Sequence, residues 1–182
     1  MPPVKASRPI ILSLILDKQA QDTLTALRTQ FFPKHRNFLS AHITLFHALP
    51  PSDQLFTLLE KTLSDVRPLV LGLGDPFLFK NGSGVALNMR SFKAKELHQT
   101  LLDTLWNNRV ELTEQDQRPM RGLHVTICNK AKEAEAKEVF KQMQDKMEGL
   151  KKEMPTAKGL GVAAWEYQQD NTWKPLTEYL FK

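Results

Sequence analysis

AHITLFHALP, residues 41–50, sets two histidines five positions apart in an apolar run, and the reading of this stretch decides the architecture around it. Its core pattern of His, aliphatic, Thr, aliphatic returns in the second half of the chain as LHVTIC, residues 123–128. Side chains alternate faces along a strand, so His42 and Thr44 share one face while Ile43 and Leu45 take the other. His124 and Thr126 likewise lie opposite Val125 and Ile127. By the same alternation Phe46 continues the His42 face, and His47 falls on the opposite one, away from any site the first histidine lines.

Outward from these two stretches the chain reads as alternating strands and helices. PIILSLIL (9–16) is a β-branched strand, and DKQAQDTLTALRTQFF (17–32) is a helix through Leu24, Leu27 and Phe31 with Asp17 as its N-cap. NFLSAHITLFHAL (37–49) reads as a strand, and 50–66 as a helix opened by Ser52. Residues 68–90 form a hairpin about NGSG, and 91–108 a helix burying Leu97, Leu101, Leu105 and Trp106. RGLHVTICNK (121–130) is a strand, followed by a helix to 154. In that helix Val139, Phe140, Met143 and Met147 make an apolar stripe among solvated lysines and glutamates. GLGVAAWEYQQDNTWKPLTEYLF (159–181) divides at QQDNT into a second hairpin. Seven strands and four helices with mixed hairpins and β-α units predict an α+β fold dominated by antiparallel pairing, without a linker to divide it.

A chain of 182 residues, 41% hydrophobic, can bury a full core. No apolar run approaches the roughly 18 residues of a membrane span, and the start lacks a secretory cleavage site, so the reading is a soluble, unprocessed protein. Cys128 is the only cysteine. A single thiol excludes an internal disulfide and a thiolate zinc site and points to a reducing compartment, with the cytoplasm as default. The net charge of +5 favours a phosphate-bearing ligand without establishing one.

Two imidazoles and two hydroxyls facing one centre suit displacement at phosphorus. An unperturbed pKa near 6.5 lets one histidine be neutral and the other protonated around neutral pH, so one can deprotonate water while the other protonates the departing alkoxide. The threonine hydroxyls can hold the non-bridging oxygens as charge develops. No cofactor is required, and no H-E-x-x-H, D-x-D or C-x-x-C spacing suggests a metal.

The paired motifs resemble those of the 2H phosphoesterase superfamily. The order of elements and the final hairpin are similar to its 2'-5' RNA ligase-like (LigT-like) branch, and the resemblance covers almost the whole chain. It implies a bilobal 2H phosphoesterase fold over residues 1–182, with two pseudo-twofold-related lobes, helices outside, and a central cleft taking one motif from each. It also implies metal-independent opening of a 2',3'-cyclic phosphate on an RNA or nucleotide end to a 2'-phosphate, and in some members hydrolysis or formation of a 2'-5' linkage. His42, Thr44, His124 and Thr126 carry over as the catalytic set. His124 would activate water and His42 protonate the leaving ribose oxygen, with exchanged roles left open.

Three further residues are candidates for substrate binding. Arg118 and Arg121 stand just before the second motif, where family members often carry a basic residue and where a guanidinium can grip a phosphate. Arg121 would face away in a regular strand, and Arg118 is free in its loop. Phe46 could stack on a base or wall the cleft. Cys128 reads as packing, Trp165, Tyr167 and Trp173 as strand aromatics that could also stack on bases, His35 as exposed loop, and His98 as a helical residue apart from both motifs. The expected partner is an RNA end or nucleotide, bound by a monomer without membrane attachment. The alternative is a module of the same fold that holds a nucleotide without turning it over.

Overall fold

The computed structural model describes residues 6–182, and the β-branched run near the start makes its first strand, β1 (Ile10–Leu16). Asp17 then accepts the main-chain N–H of Ala20 at 3.1 Å and caps α1 (Lys18–Phe31). After a short 3-10 turn, Lys34–Arg36, come β2 (Ile43–Leu49) and α2 (Asp53–Leu63), the latter capped by Ser52. β3 (Leu69–Leu78) and β4 (Val85–Arg90) form the expected hairpin, with Gly82 at a φ of +68° in its turn, a conformation that glycine adopts without steric cost. α3 (Phe92–Asn107), β5 (Leu123–Cys128), α4 (Glu133–Glu153), β6 (Thr156–Tyr167) and β7 (Trp173–Leu180) complete the described chain. Among the described residues these are four α-helices and seven strands in an antiparallel sheet, the α+β architecture expected.

The strands run in the order β2-β1-β6-β3-β4-β5, with β7 also on β6. β6 joins the two halves of the sheet. Its first residues, 156–159, pair with β3, and 161–167 pair with β7, while β1 follows its other edge. The two motif strands, β2 and β5, are the ends of this path, yet they come into contact with each other. The sheet therefore bends until its two edges meet, and the motifs face one another across that meeting.

The core is one continuous cluster running from Ile10, Leu12 and Leu24 through Ile43 and Leu87 to Val125 and Ile127. The α4 stripe packs as expected, with Met143 and Met147 buried and Val139 and Phe140 partly so. Three details depart from the sequence reading. Trp106 is 61% exposed instead of joining Leu97, Leu101 and Leu105. β6 starts at Thr156, earlier than 159, because its first residues extend the pairing with β3. The strand placed at 37–49 starts only at Ile43, because side chains of α1 take the main-chain groups of the preceding segment: Arg28 donates to Leu39 O at 2.9 Å, Gln21 to Ala41 O at 2.7 Å, and Thr25 Oγ1 accepts from Ala41 N at 3.1 Å. No described helix is long and apolar enough to cross a membrane.

Candidate active site

Both motif strands break their alternation just after the threonine. On β2, Thr44 is opposite Ser13 and Phe46 opposite Leu12, so Leu45 is an extra residue that no β1 residue matches. On β5, Thr126 is opposite Ala86 and Cys128 opposite Val85, which leaves Ile127 as the corresponding extra residue. Such a bulge inverts the side-chain alternation that follows it. Phe46, expected on the His42 face, and Cys128, two positions beyond Thr126, are turned into the core at 0% and 1% exposure.

The consequence for the first motif is a correction of two assignments. Phe46 neither walls nor lines the cleft, being stacked instead on the buried imidazole of His98 at 4.6 Å between centroids. His47, placed by strict alternation on the far face, lines the same cleft as His42 and Thr44. Cys128 is a buried packing residue whose thiol pKa is pushed up by burial.

The cleft has a volume of about 780 Å³ and is lined by all four motif side chains: His42, Thr44, His124 and Thr126. A space of this size suits a small organic ligand. His42 stands just ahead of β2, where its Nδ1 lies 2.8 Å from Ser40 O. A carbonyl can only accept, so Nδ1 carries the proton and Nε2 keeps its lone pair while the ring is neutral. Trp173 packs against the ring at 4.5 Å between centroids. Burial pushes the pKa of His42 down to about 4, and the neighbouring Arg28, His124 and His47 act in the same direction against the Ser40 bond. On the other side, the rings of Phe77 and Phe79 stand edge-on to His124 at 5.9 and 6.4 Å. Burial lowers the pKa of His124 as well, with His47 adding to the effect.

Arg118 and Arg121 both line the cleft. β5 starts at Leu123, so strand alternation does not extend back to Arg121 and does not turn it away. The guanidinium of Arg118 is shared with Glu114 in an exposed ion pair. Trp173 is the hairpin aromatic at the site, whereas Trp165 donates to Ser13 Oγ at 2.9 Å and the Tyr167 hydroxyl meets Asn171 at 2.5 Å. His35 is exposed in the 3-10 turn.

Two participants, Arg28 and Asp116, have no counterpart in the sequence reading, and a third, His98, is one that the sequence reading places apart from both motifs. Arg28, only 4% exposed, donates from Nε to Asn37 Oδ1 and Leu39 O and from Nη1 to Thr126 O at 2.8 Å. One side chain thus holds the segment leading to His42 and the backbone of the second motif. Burial pushes its pKa down to about 10, leaving it a cation at neutral pH. Asp116, from the loop between α3 and β5, accepts the main-chain N–H groups of His47 and Ala48, each at 2.8 Å. His98, far from a bystander, is 3% exposed and lines the cleft wall, with its Nδ1 buried and unpartnered. Burial lowers its pKa, while the Leu45 carbonyl and Asp116 oppose the shift. Arg28, Asp116 and His98 act largely on main-chain atoms or on residues remote in sequence, so no local motif marks them. Among the described residues, no three His, Cys, Asp or Glu side chains converge to hold a metal ion.

Comparisons with known proteins bear on the family and the fold. A family model described as the 2'-5' RNA ligase superfamily matches residues 16–158. Among solved structures, E. coli LigT complexed with 3'-AMP aligns at a TM-score of 0.64 and 16% identity, over 96% of this chain and 98% of that one. A protein of Thermus thermophilus, TT0787, aligns at 0.63 and 14% identity, over 95% and 97%, and a structure described as a phosphoesterase at 0.62 and 15%, over 96% and 98%. At such identities the likeness is one of fold. No curated protein matches the chain.

Proposed function

Because the chain belongs to the 2'-5' RNA ligase superfamily, we propose that it is a phosphoesterase that opens a 2',3'-cyclic phosphate on an RNA or nucleotide end to a 2'-phosphate, with 2'-5' linkages as the related substrate. The observation that carries this reading is the convergence of His42, Thr44, His124 and Thr126 on one cleft from the two edges of a bent sheet.

Water attacks phosphorus as the bond to the ribose 3'-oxygen breaks. One imidazole takes the proton from water and the other gives one to the departing oxygen. The threonine hydroxyls donate to the two non-bridging oxygens, whose charge grows in the transition state. His42 has the features of the base: it is neutral at pH 7, and its proton sits on Nδ1 against Ser40 O, which leaves the Nε2 lone pair free. That supports His42 as the proton acceptor and His124 as the donor once a phosphate anion lies between them, the reverse of the order the resemblance implies. Trp173 beside His42 and Phe77 beside His124 give the cleft apolar walls on either side of the reacting centre.

The test is incubation with the four nucleoside 2',3'-cyclic monophosphates and a 2'-5'-linked dinucleotide, with products separated by isomer. The reading expects 2'-phosphates from at least one cyclic substrate. Exclusive formation of 3'-phosphates, or no turnover of any member of the panel, would overturn it.

A further inference from the structure

The acid-base mechanism leaves His47, another imidazole lining the cleft, unassigned. Its side chain is 48% exposed, and its Nδ1 lies 3.3 Å from Asp116 Oδ1, while the Asp116 side chain is 1% exposed. His47 is the only cleft histidine with a carboxylate oxygen within 4 Å among the described residues. The carboxylate is itself fixed by the two main-chain N–H bonds from β2. Burial pushes the pKa of Asp116 up, but the bonds from the His47 ring and from the N–H groups of His47 and Ala48 outweigh it and hold the group below the usual carboxylate range. His47 is therefore oriented from behind by a fixed anion, with the rest of its ring open to the cleft.

Position along the strand separates His47 from the reacting centre. At about 3.3 Å per ladder step, and with Leu45 adding no step of its own, it lies roughly 7 Å beyond Thr44, so the two side chains face different parts of the cleft. That separation is comparable with the step between neighbouring phosphates on an extended oligonucleotide. The loop that carries Asp116 also brings Gln115 and Arg118 to the cleft lining, so further hydrogen-bond donors border the same space.

We infer that His47, backed by Asp116, binds a second phosphate one nucleotide removed from the reacting phosphorus, so that the preferred substrate is an oligonucleotide end and not a mononucleotide. The inference rests on the phosphoesterase reading above. Held between a carboxylate and a phosphodiester, both acceptors, the imidazole carries a proton on each nitrogen and bridges the two with charge-assisted hydrogen bonds. The register shift at Leu45 is what makes this geometry available, because a regular strand would turn His47 out of the cleft.

Equilibrium binding separates this claim from the catalytic one. The probes are adenosine 2'-phosphate, the dinucleotide ApA carrying a terminal 2'-phosphate, and the same dinucleotide with an uncharged methylphosphonate linkage. The wild-type protein is expected to bind the charged dinucleotide about tenfold or more tighter than the mononucleotide, the equivalent of one charge-assisted contact. The uncharged dinucleotide should lose most of that gain. In His47→Gln the ratio of the two charged ligands should fall to within about threefold, and Asp116→Asn, which keeps the shape and removes the anion, should reduce it in the same direction. Equal wild-type affinities, or a preference that survives His47→Gln, would overturn the inference. A preserved binding contrast with no turnover of any cyclic phosphate would instead overturn the phosphoesterase reading and leave the subsite standing.

Discussion

The guanidinium of Arg28, on α1, donates to the main-chain oxygen of Thr126, on β5, at 2.8 Å, and the same group holds Leu39 O ahead of the first motif. A buried cation from one half of the molecule thereby fixes the backbone on which both motif histidines are mounted. These bonds are part-buried, so they matter more than fully exposed ones would.

Replacing Arg28 with Met keeps much of the volume and removes all of these donors. Each acceptor left unpaired costs up to about 1–3 kcal/mol, less where water can replace the guanidinium, so a lower urea midpoint is expected. A fall in kcat larger than any rise in KM is also expected, because the histidines lose their relative placement. Unchanged kcat in a folded Arg28→Met protein would mean that the link plays no part in positioning.

The assignment of base and acid predicts a contrast between leaving groups. An aryl phosphodiester releases a phenolate that needs no protonation, so loss of the general acid is masked on that substrate while loss of the base is not. His124→Ala should retain far more of its activity on an aryl diester than on a cyclic phosphate, and His42→Ala should be impaired on both. The opposite pattern in paired initial-rate assays would return the roles to the order implied by the resemblance.

The histidine pKa values fix the sign of the pH dependence of stability. His42, His98 and His124 all titrate lower in the folded protein than an ordinary histidine. Below an unfolded pKa near 6.5 the unfolded chain binds more protons than the folded one, so stability is lost as pH falls from about 6.5 toward the folded values, near 4 for His42. Urea midpoints should rise between pH 5 and pH 7, and His42→Gln should flatten that rise. Trp173→Ala removes a ring that shields His42 and should move the acidic limb of kcat/KM to higher pH.

Phe46 separates packing from substrate contact. Fully buried against His98, it should cost about 3–5 kcal/mol of stability when replaced with Ala, in the range for a buried aromatic. Below the melting transition the KM for a cyclic nucleotide should change little. A large rise in KM without loss of stability would put Phe46 back in the binding site.

The contrast between Phe46 and His47 also marks how far the sequence could be read. Strands and helices were legible because their periods differ and their caps, Asp17 and Ser52, stand where capping chemistry requires. The repeated pairs His42 with Thr44 and His124 with Thr126 were legible because the residue types and spacing recur together. The bulges at Leu45 and Ile127 were not, since alternation assumes a regular ladder and neither residue announces the break. Arg28 and Asp116 were invisible for another reason: their partners are mainly backbone atoms far along the chain, reached only once the sheet bends its two edges together.

The most direct test of the central claim is the rate of 2',3'-cyclic AMP opening by wild type, His42→Ala and His124→Ala at pH 7, with folding of each variant verified by its melting transition. Each substitution alone is expected to lower kcat by roughly 10²–10⁴-fold, the usual contribution of one positioned acid or base. A folded variant of either kind that keeps kcat within about threefold of wild type would contradict two-histidine catalysis in this cleft.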